Sequence, residues 1–364
     1  MTDSGAAATG WLIDRSLEAL AAGQHPSGAL IASPDFRPYH FCWVRDGTFC
    51  AYALDRWGRH QAAARFYRFV AKAINDFIRG QGLESDGSTN SAFPPTRFTM
   101  EGQVADDGWP NFQLDGYGTW LWGLSEHARL SGSSRLWDEF AQPIEFLCRQ
   151  LEHLWPLPCF DCWEEDGERV HTSTLACIAT GLHCAGSATN RLSASRAAEA
   201  IDTFVAEHAV LDGRLVKSIG RRSIDASLLW LSMPFPVAPV EEAVRVETAE
   251  AVRSELGYPG ISRYQGDRYY GGGSWPLLTA WYGWYCVSAD QSDDARQCLA
   301  WIEEQAGPDG SLPEQVDGIH RDPFAYQEWV RQGGRPARQL LWSHAMYLVL
   351  ADELGCHAGQ AAVP

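Results

Sequence analysis

Hydrophobic residues recur along most of the chain with the roughly 3.6-residue period of an α-helix, and evidence for strands is thin. One short strand candidate, 213–220, lies beside a turn. The predicted secondary structure is therefore almost entirely helical. The period predicts twelve helices, which cover residues 11–23, 46–57, 59–79, 115–130, 134–153, 172–186, 192–208, 225–232, 240–256, 275–288, 292–305 and 338–354.

The predicted helices are of two kinds, which alternate along the chain. The odd-numbered helices are amphipathic: the third carries Phe66, Val70 and Phe77 on one stripe, with charged residues elsewhere. The even-numbered helices, for example 275–288, are nearly uncharged. A helix with one apolar stripe lies at the surface, whereas a helix that is apolar all round is buried. The chain therefore alternates between outer and inner helices.

This alternation predicts an all-α fold, an (α/α)6 barrel in which six helical hairpins close into a ring. An open solenoid of helical hairpins is the main alternative, but a solenoid would not need inner helices this apolar. No Ser/Gly-rich or Pro-rich tract, charge block or low-complexity run divides the chain. The barrel is therefore expected to form a single domain over residues 1–364.

A loop rich in aromatic and charged residues precedes each predicted inner helix. In a closed ring of antiparallel hairpins, the N-termini of all inner helices share one end, so these loops must converge on one mouth. Several of them are long, and long irregular loops in a compact domain are usually functional. We therefore expect a binding pocket there. The loops contain the segments YHFCWVRDG, DDGWPNFQLDGYG, FDCWEEDGERVH, GRRSID, SRYQGDRYYGGGSW and GSLPEQVDGIHRD.

The acidic composition argues against several classes of partner. The chain of 364 residues has 46 acidic and 29 basic residues, a formal net charge of −17, and a nucleic acid would need basic partners for its phosphates. No apolar run of about 18 residues is present, so no membrane span is expected. The first residues, MTDSGAAATG, lack the basic and apolar regions of a secretory signal, which predicts a cytoplasmic protein.

The ten cysteines are expected to stay reduced. Cys50, Cys177 and Cys286 lie inside apolar segments, where a thiol behaves as a small hydrophobic group. Cys159 and Cys162 have the spacing of a zinc or redox pair, but no second pair is present to complete a zinc site. We therefore expect neither a metal nor another cofactor.

Sixteen tryptophans are many for a chain of this length, since tryptophan ordinarily makes up about 1–2% of residues. They can enlarge a core, or they can stack on the flat apolar faces of a sugar ring. Carboxylates and guanidinium groups bind sugar hydroxyls bidentately, although a local ion pair or a helix cap is the alternative for Arg45 and Asp46. The predicted sugar site is lined by Trp43, Trp109, Trp163, Trp275, Arg45, Asp46, Asp115, Arg263 and Asp267.

Three glutamates are candidates for chemistry at the mouth. Hydrolysis of a glycosidic bond needs one carboxylic acid that protonates the leaving oxygen and one carboxylate that activates water. Glu164 lies beside Glu165 and behind Trp163, and both neighbours disfavour its ionisation, which suits the proton donor. Glu314 comes from a distant hairpin and suits the base. A water molecule between the two carboxyls needs a separation of about 6.5–9.5 Å and implies inversion, whereas a solvated turn is the alternative for each glutamate.

The chain resembles a known family, glycoside hydrolase family 15, the glucoamylase family. The segments WVRDG, QLDGYG, DCWEEDG, DASLL, RYQGDRYYGGGSW and PEQ…LLWSH occur in that family's order and spacing over roughly residues 35–350. The resemblance implies an (α/α)6 catalytic barrel with exo-acting, inverting release of glucose from a non-reducing end. It also implies that Glu164 is the general acid, that Glu314 is the general base, and that Tyr39, with Tyr269 beside it, positions the catalytic water. The positions that match contacts of the terminal glucose are Arg45, Asp46, Trp109, Glu165 and Arg263, and Trp342 in LLWSH is predicted to bind substrate as well.

The resemblance leaves the preferred linkage open. The N-terminal β-sandwich of many bacterial members and the starch-binding module of fungal members are not found, and the segment from Glu314 to Trp342 is extended and could close the acceptor side. A single-domain member with a closed pocket is similar to those that act on isomaltose, with its α-1,6 linkage. Maltose, malto-oligosaccharides and trehalose are the alternatives. So is a carbohydrate-binding barrel without catalysis. A phosphorylase would need a phosphate cradle, but the glycines of the GGGS segment at 271–274 are expected instead to allow tight backbone packing beside Trp275.

Overall fold

The computed structural model describes residues 3–81, 93–105, 107–318 and 320–356. None of the described helices combines the length and the apolar character that a membrane span needs. The α-helices are α1 (Asp3–Ala22), α2 (Val44–Arg56), α3 (His60–Gly80), α4 (Asp115–Ser131), α5 (Arg135–Glu139), α6 (Ala141–Leu154), α7 (Thr172–Thr189), α8 (Leu192–His208), α9 (Glu242–Leu256), α10 (Pro276–Ser288), α11 (Ser292–Glu304), α12 (Pro323–Gly333) and α13 (Leu341–Glu353). Short 3-10 helices cover Arg37–Tyr39, Ala226–Leu231 and Tyr269–Gly271, and the strands are β1 (Cys42–Trp43), β2 (Arg97–Phe98), β3 (Val210–Leu211) and β4 (Arg214–Leu215).

The inner ring of the barrel is closed. It consists of α2, α4, α7, the 3-10 helix Ala226–Leu231, α10 and α13, and each element contacts the next in that order, with α13 returning to α2. The outer helices α1, α3, α6, α8, α9 and α11 each pack against an inner element. This arrangement confirms the predicted all-α (α/α)6 barrel of six hairpins and excludes the open solenoid.

The inner helices pack tightly because they are apolar and carry small residues where they cross. In α10, every side chain from Pro276 to Cys286 is buried. A Cβ atom at Gly118 of α4 would lie only 2.4 Å from the carbonyl oxygen of Cys177 in α7, and one at Gly181 would lie 2.4 Å from the carbonyl oxygen of Gly118. Only glycine permits two backbones to approach this closely, so these positions bring α4 and α7 into direct contact.

Two predicted helices differ from the observed ones. The predicted outer helix 134–153 is interrupted at Phe140, which separates α5 from α6. The predicted inner helix 225–232 is a 3-10 helix of six residues, Ala226–Leu231, all of them buried. Asp225 caps this element, because its carboxylate accepts a hydrogen bond at 2.8 Å from a backbone amide in the first turn. The prediction of burial was correct, but six residues are too few to distinguish one helical period from another.

The structure also contains a helix that the sequence analysis missed. Helix α12 lies within the extended segment 315–338, and the carboxylate of Asp322 caps it by accepting hydrogen bonds from the amides of Phe324 and Ala325 at 3.1 and 3.0 Å. Ala325 is the one buried residue of this helix, so no apolar stripe predicts it. The strand predicted within 213–220 is confined to the two residues of β4, which pair with β3.

The loops before five of the six inner elements meet around one cavity at the end of the barrel. The pairing of β1 with β2 joins the loop before α2 to the loop before α4. The remaining loop contains GRRSID and precedes the 3-10 helix Ala226–Leu231. It was predicted to reach the mouth but contributes no residue to the cavity wall. Its Asp225 is fully buried and points instead into an ion cluster behind the wall.

Candidate active site

The cavity at the mouth has a volume of about 460 Å³. Most of the predicted site residues lie on its wall, although they come from loops far apart in the sequence. Two of the predicted residues, Asp115 and Asp267, do not reach the wall. The predicted residues that line the cavity are Tyr39, Trp43, Arg45, Asp46, Trp109, Trp163, Glu164, Glu165, Arg263, Tyr269, Trp275, Glu314 and Trp342.

Glu164 lies on the wall in a tight turn and has a left-handed backbone with φ of 68°. This conformation is unfavourable for a residue other than glycine, and such residues cluster at functional sites. The indole N–H of Trp43 donates to Oε1 of Glu164 at 2.5 Å. Burial raises the pKa of the Glu164 carboxyl and outweighs the opposing influence of Arg45 and of nearby N–H donors. The carboxyl is therefore suited to hold a proton, and the reason is burial rather than the adjacent Glu165.

The turn that carries Glu164 is held by an ion cluster behind the wall. Oδ1 of Asp161 accepts hydrogen bonds from the amides of Trp163 and Glu165, both at 2.9 Å. Nζ of the buried Lys217 lies 3.0 Å from Oδ2 of Asp161 and 3.5 Å from Oδ2 of Asp225. Asp225 in turn accepts a hydrogen bond from the indole of Trp163 at 2.9 Å. The sequence analysis assigned no role to Lys217, because only the fold brings it to these carboxylates.

Glu314 is 2% exposed and faces two tyrosines. The hydroxyl of Tyr39 donates to Oε1 at 2.7 Å, the hydroxyl of Tyr269 lies 3.3 Å from Oε2, and the two hydroxyls are 2.8 Å apart. Burial raises the pKa of Glu314 to about 7, while the hydroxyl donors and Arg263 oppose the shift. The carboxyl therefore exchanges its proton near neutral pH, as a general base must be able to do.

The loop that carries Glu314 is anchored to α13 and α1. The amide of Leu312 donates to Nε2 of His344 at 3.2 Å, so Nδ1 carries the ring hydrogen and donates to Oγ of Ser16 at 3.0 Å. The hydroxyl of Ser343 donates to the carbonyl oxygen of Pro313 at 2.8 Å. Burial lowers the pKa of His344 to about 3, so this anchor is uncharged.

Arg45 reaches the wall from the first turn of α2. Its Nη1 lies 3.0 Å from Oδ2 of Asp115 and donates to Oε1 of Gln113 at 3.1 Å, while its Nε lies 3.2 Å from Oδ1 of Asp46. Burial raises the pKa of Asp46 to about 6. The prediction that Asp115 lines the pocket was wrong, because this carboxylate is fully buried behind Arg45 and compensates its charge.

Arg263 is held in the same way on the other side of the cavity. Its Nε and Nη2 bind the carboxylate of Asp267 bidentately at 2.8 and 2.6 Å, and Nη2 also lies 3.1 Å from Oε1 of Glu165. The hydroxyl of Tyr264 donates to the other oxygen of Glu165. Asp267 therefore orients Arg263 from behind and does not line the pocket, contrary to the prediction. A planar guanidinium fixed by a bidentate pair is a rigid support for ligand hydroxyls.

Several further residues shape the cavity but were not predicted from the sequence. Tyr270 and Trp329 lie on its wall. Arg97 lies behind the wall, between the rings of Phe41 and Trp109, at 4.0 and 3.9 Å from their centroids. The extension of the segment that carries Trp329 was visible in the sequence, but the sequence contains no comparable signal for Arg97. Its partners are apparent only once β1 pairs with β2.

Within residues 3–81, 93–105, 107–318 and 320–356, no group of three or more His, Cys, Asp or Glu side chains is placed to hold a metal ion. Cys159 and Cys162 are both buried and unbridged. Burial raises the pKa of the Cys159 thiol to about 12.

Comparison with known proteins places this chain in a family. Residues 12–294 match glycosyl hydrolases family 15. Over 346 residues the chain is 37% identical to the isomaltose glucohydrolase of Kribbella flavida, and this alignment covers 91% of the chain and 89% of that protein.

Two solved structures extend the comparison. A glycosidase variant in complex with glucose is 35% identical, has a TM-score of 0.89, and is matched over 98% of this chain and 99% of that chain. A bacterial glucoamylase complexed with acarbose is 21% identical, with a TM-score of 0.73 over 95% of this chain and 55% of that chain, which shows a shared fold. The chain therefore belongs to glycosyl hydrolases family 15 and is a glycoside hydrolase of the glucoamylase type.

Proposed function

We propose that the protein is an exo-acting α-glucosidase that inverts the anomeric carbon, releasing β-glucose from the non-reducing end of short α-glucosides, with isomaltose as the preferred substrate. The observation that carries this proposal is that Glu164 and Glu314, from loops far apart in the sequence, line the same cavity. Acid–base hydrolysis of a glycosidic bond requires two carboxyl groups that flank the bond, and two carboxyl groups from separate loops around one small cavity meet this requirement.

In the proposed reaction, Glu164 protonates the glycosidic oxygen as the bond from that oxygen to the anomeric carbon breaks. Glu314 removes a proton from a water molecule that attacks the same carbon from the opposite face, so the product is β-glucose. The hydroxyl of Tyr39, 2.7 Å from Glu314, is placed to orient this water. Each carboxyl must start in the correct state, with the proton on Glu164 and none on Glu314.

The terminal glucose would be held at the closed end of the cavity. Arg45 and Arg263 are fixed by buried carboxylates, so each offers its remaining N–H groups in a set direction. Asp46 and Glu165 provide acceptors on the wall for sugar hydroxyls. The indole rings of Trp43, Trp163, Trp275 and Trp342 supply flat apolar surface for the ring of the sugar.

Similarity supports isomaltose as the substrate, and the size of the cavity supports a short substrate. The chain is 37% identical to an isomaltose glucohydrolase, and a glycosidase of 35% identity has been solved in complex with glucose. The cavity of about 460 Å³ lies toward the small end of the range of about 300–1,000 Å³ that is usual for ligand pockets. A cavity of this size suits a disaccharide better than a long glucan.

Incubation with isomaltose, maltose, trehalose and nigerose tests this function directly. We expect the fastest release of glucose from isomaltose, and β-glucose as the first product observed by NMR before mutarotation. The rate should not depend on inorganic phosphate, because water is the nucleophile. α-Glucose as the first product would refute inversion, faster cleavage of another disaccharide would reassign the linkage, and a requirement for phosphate would indicate a phosphorylase.

The pH dependence of kcat/KM should report Glu314 and its hydrogen bond to Tyr39. Because the base must be ionised, kcat/KM is expected to fall as the pH drops through about 7 in the wild type. The Tyr39→Phe variant loses a donor that stabilises the ionised carboxylate, so the pKa of Glu314 rises further. We expect the acid limb to move to higher pH and kcat to fall by about tenfold or more, measured as pH–rate profiles.

Tyr269→Phe is a matched control for this experiment. The hydroxyl of Tyr269 is 3.3 Å from Glu314, against 2.7 Å for that of Tyr39, so its removal should move the acid limb less. An acid limb that stays at the wild-type position in Tyr39→Phe would show that this hydroxyl does not control the ionisation of Glu314.

A further inference from the structure

Helix α12 is attached to the rim of the cavity through the backbone. The amides of Arg321 and Asp322 both donate to the carbonyl oxygen of Gly271, at 2.8 and 3.0 Å. Asp322 also caps the helix, so one residue fixes both its start and its docking point. The hydroxyl of Tyr326, in the same helix, donates to Oδ1 of Asp317 at 2.5 Å. The position of α12 is therefore set by hydrogen bonds at several points.

The docking point is an unusual stretch of backbone on the cavity rim. Tyr270, Gly271 and Gly272 are all left-handed, with φ of 45°, 74° and 65°. A Cβ atom at Gly271 would lie 2.5 Å from the carbonyl oxygen of Asp322, so only glycine lets the α12 segment approach. A left-handed tyrosine is unfavourable, and Tyr270 is held in this conformation while 1% exposed. The rim and α12 therefore form one packed unit.

Trp329 carries this unit into the cavity wall. Its ring lies edge-on to Tyr269, with the centroids 4.9 Å apart, and at 5.7 Å from the ring of Tyr270. Trp329 is 38% exposed, whereas Trp342 on the same wall is 3% exposed. An aromatic ring that is fixed on one side and open on the other has a free face for a ligand.

The exposure of the wall residues also shows where the cavity opens. Arg45, Asp46 and Arg263 are 3%, 9% and 3% exposed, so they lie at the closed end, while Trp329 lies at the entrance. An exo-acting enzyme places the terminal sugar at the closed end. Every sugar beyond the scissile bond must then lie toward the entrance, where the partly exposed Trp329 lines the cavity.

We propose that the Trp329 ring is the stacking surface for the leaving sugar, and that this ring, held in place by α12, also blocks the path of a third sugar and so restricts the enzyme to disaccharides. This inference rests on the proposed exo-acting function. The apolar face of the second sugar would cover the exposed part of the indole, while the helix that carries the indole is docked on Gly271 and capped by Asp322, which holds the ring in position.

The Trp329→Ala variant tests both parts of the inference with three substrates. For isomaltose, we expect kcat/KM to fall by about tenfold, mainly through KM, because the stacking contact is lost. For α-glucosyl fluoride, whose leaving group is one atom and does not reach the entrance, the loss should be under about twofold. For isomaltotriose, the loss should be smaller than for isomaltose, so that the ratio of triose to biose activity rises.

Phe324→Ala is the matched control. Phe324 is on the same helix, is 84% exposed and does not line the cavity, so its truncation removes an aromatic ring from α12 without touching the wall. We expect this variant to hydrolyse all three substrates as the wild type does. Trp329→Phe, which keeps a smaller ring, should recover part of the lost activity on isomaltose.

The stacking role, the limit on chain length and the linkage are each contradicted by a different result. Equal losses on isomaltose and α-glucosyl fluoride, or no loss on either, would overturn the stacking role. An unchanged ratio of triose to biose activity in Trp329→Ala would overturn the role of the Trp329 ring in limiting chain length. If the wild type prefers another disaccharide, the proposed linkage fails, and the same comparison is made with that disaccharide and its trisaccharide. The inference about Trp329 is thus tested independently of the linkage.

Discussion

Glu314→Gln is expected to abolish hydrolysis of every α-glucoside that the wild type cleaves, with kcat lower by a factor of about 10²–10⁴. Glutamine keeps the shape of the side chain and can still accept from Tyr39, but it cannot take a proton from water. The loss should be equally large for α-glucosyl fluoride, because the attacking water needs the base whatever the leaving group. Steady-state kinetics on isomaltose and on the fluoride measure both values.

Binding and stability measurements control for misfolding of this variant. Glucose affinity by calorimetry should stay within a few-fold of the wild type, because the groups proposed to hold the sugar are untouched. The pKa of Glu314 is raised to about 7, so its favourable contribution to folding is present at low pH and is lost as the pH rises through about 7. Above that pH, Glu314→Gln should unfold at the same temperature as the wild type or higher. A variant that folds, binds glucose and retains activity would remove Glu314 from the proposed mechanism.

Glu164→Gln is expected to lower kcat on isomaltose by a factor of about 10²–10⁴ but to retain much more activity on α-glucosyl fluoride. The glucoside leaving group must be protonated as it departs, whereas fluoride is a stable anion and leaves with far less help. This dependence on the leaving group identifies a general acid and separates it from a base. If the assigned roles are correct, Glu314→Gln loses activity equally on the two substrates, whereas Glu164→Gln loses much less on the fluoride than on isomaltose.

The neighbouring Glu165→Gln variant controls for disturbance of the turn. Its carboxylate lies 3.1 Å from Arg263 and is proposed to accept hydrogen bonds from sugar hydroxyls rather than to donate a proton. We therefore expect a higher KM for isomaltose and a similar loss on both substrates. Equal losses on isomaltose and on the fluoride in Glu164→Gln would mean that Glu164 acts on substrate binding and not as the acid.

The architecture could be predicted from the sequence because whole inner helices consist almost entirely of uncharged, mostly apolar residues. A segment such as PLLTAWYGWYCVS has no charged residue to place in solvent, so α10 has to be an inner helix. The prediction failed where an element is short or lacks an apolar stripe. The inner element Ala226–Leu231 has six residues, which is under two α-helical turns, and α12 buries one side chain. Its cap and its docking on the rim, both tertiary features, determine that α12 forms.

The site was predictable at the level of loops and less so at the level of individual contacts. The aromatic and charged loops before the inner helices do meet around a cavity. The amino-acid sequence alone does not distinguish a carboxylate that faces the substrate from one that holds an arginine in place. For this reason Asp115 and Asp267 were predicted to lie on the wall. Lys217 and Arg97 could not be found for the same reason, since their roles depend on partners that only the fold supplies.

The histidine that anchors the loop carrying Glu314 keeps the same charge throughout the pH range in which the carboxyl groups of the cavity titrate. His344 has a pKa of about 3, whereas those of Glu314 and Asp46 are about 7 and 6. A histidine with an ordinary pKa in that position would gain a proton near neutral pH and weaken the anchor of the loop that carries Glu314. The pH–rate profile would then combine loss of this anchor with protonation of the cavity carboxyls. With a permanently neutral imidazole, the acid side of the pH–rate profile serves as a clean titration curve of the cavity carboxyls themselves.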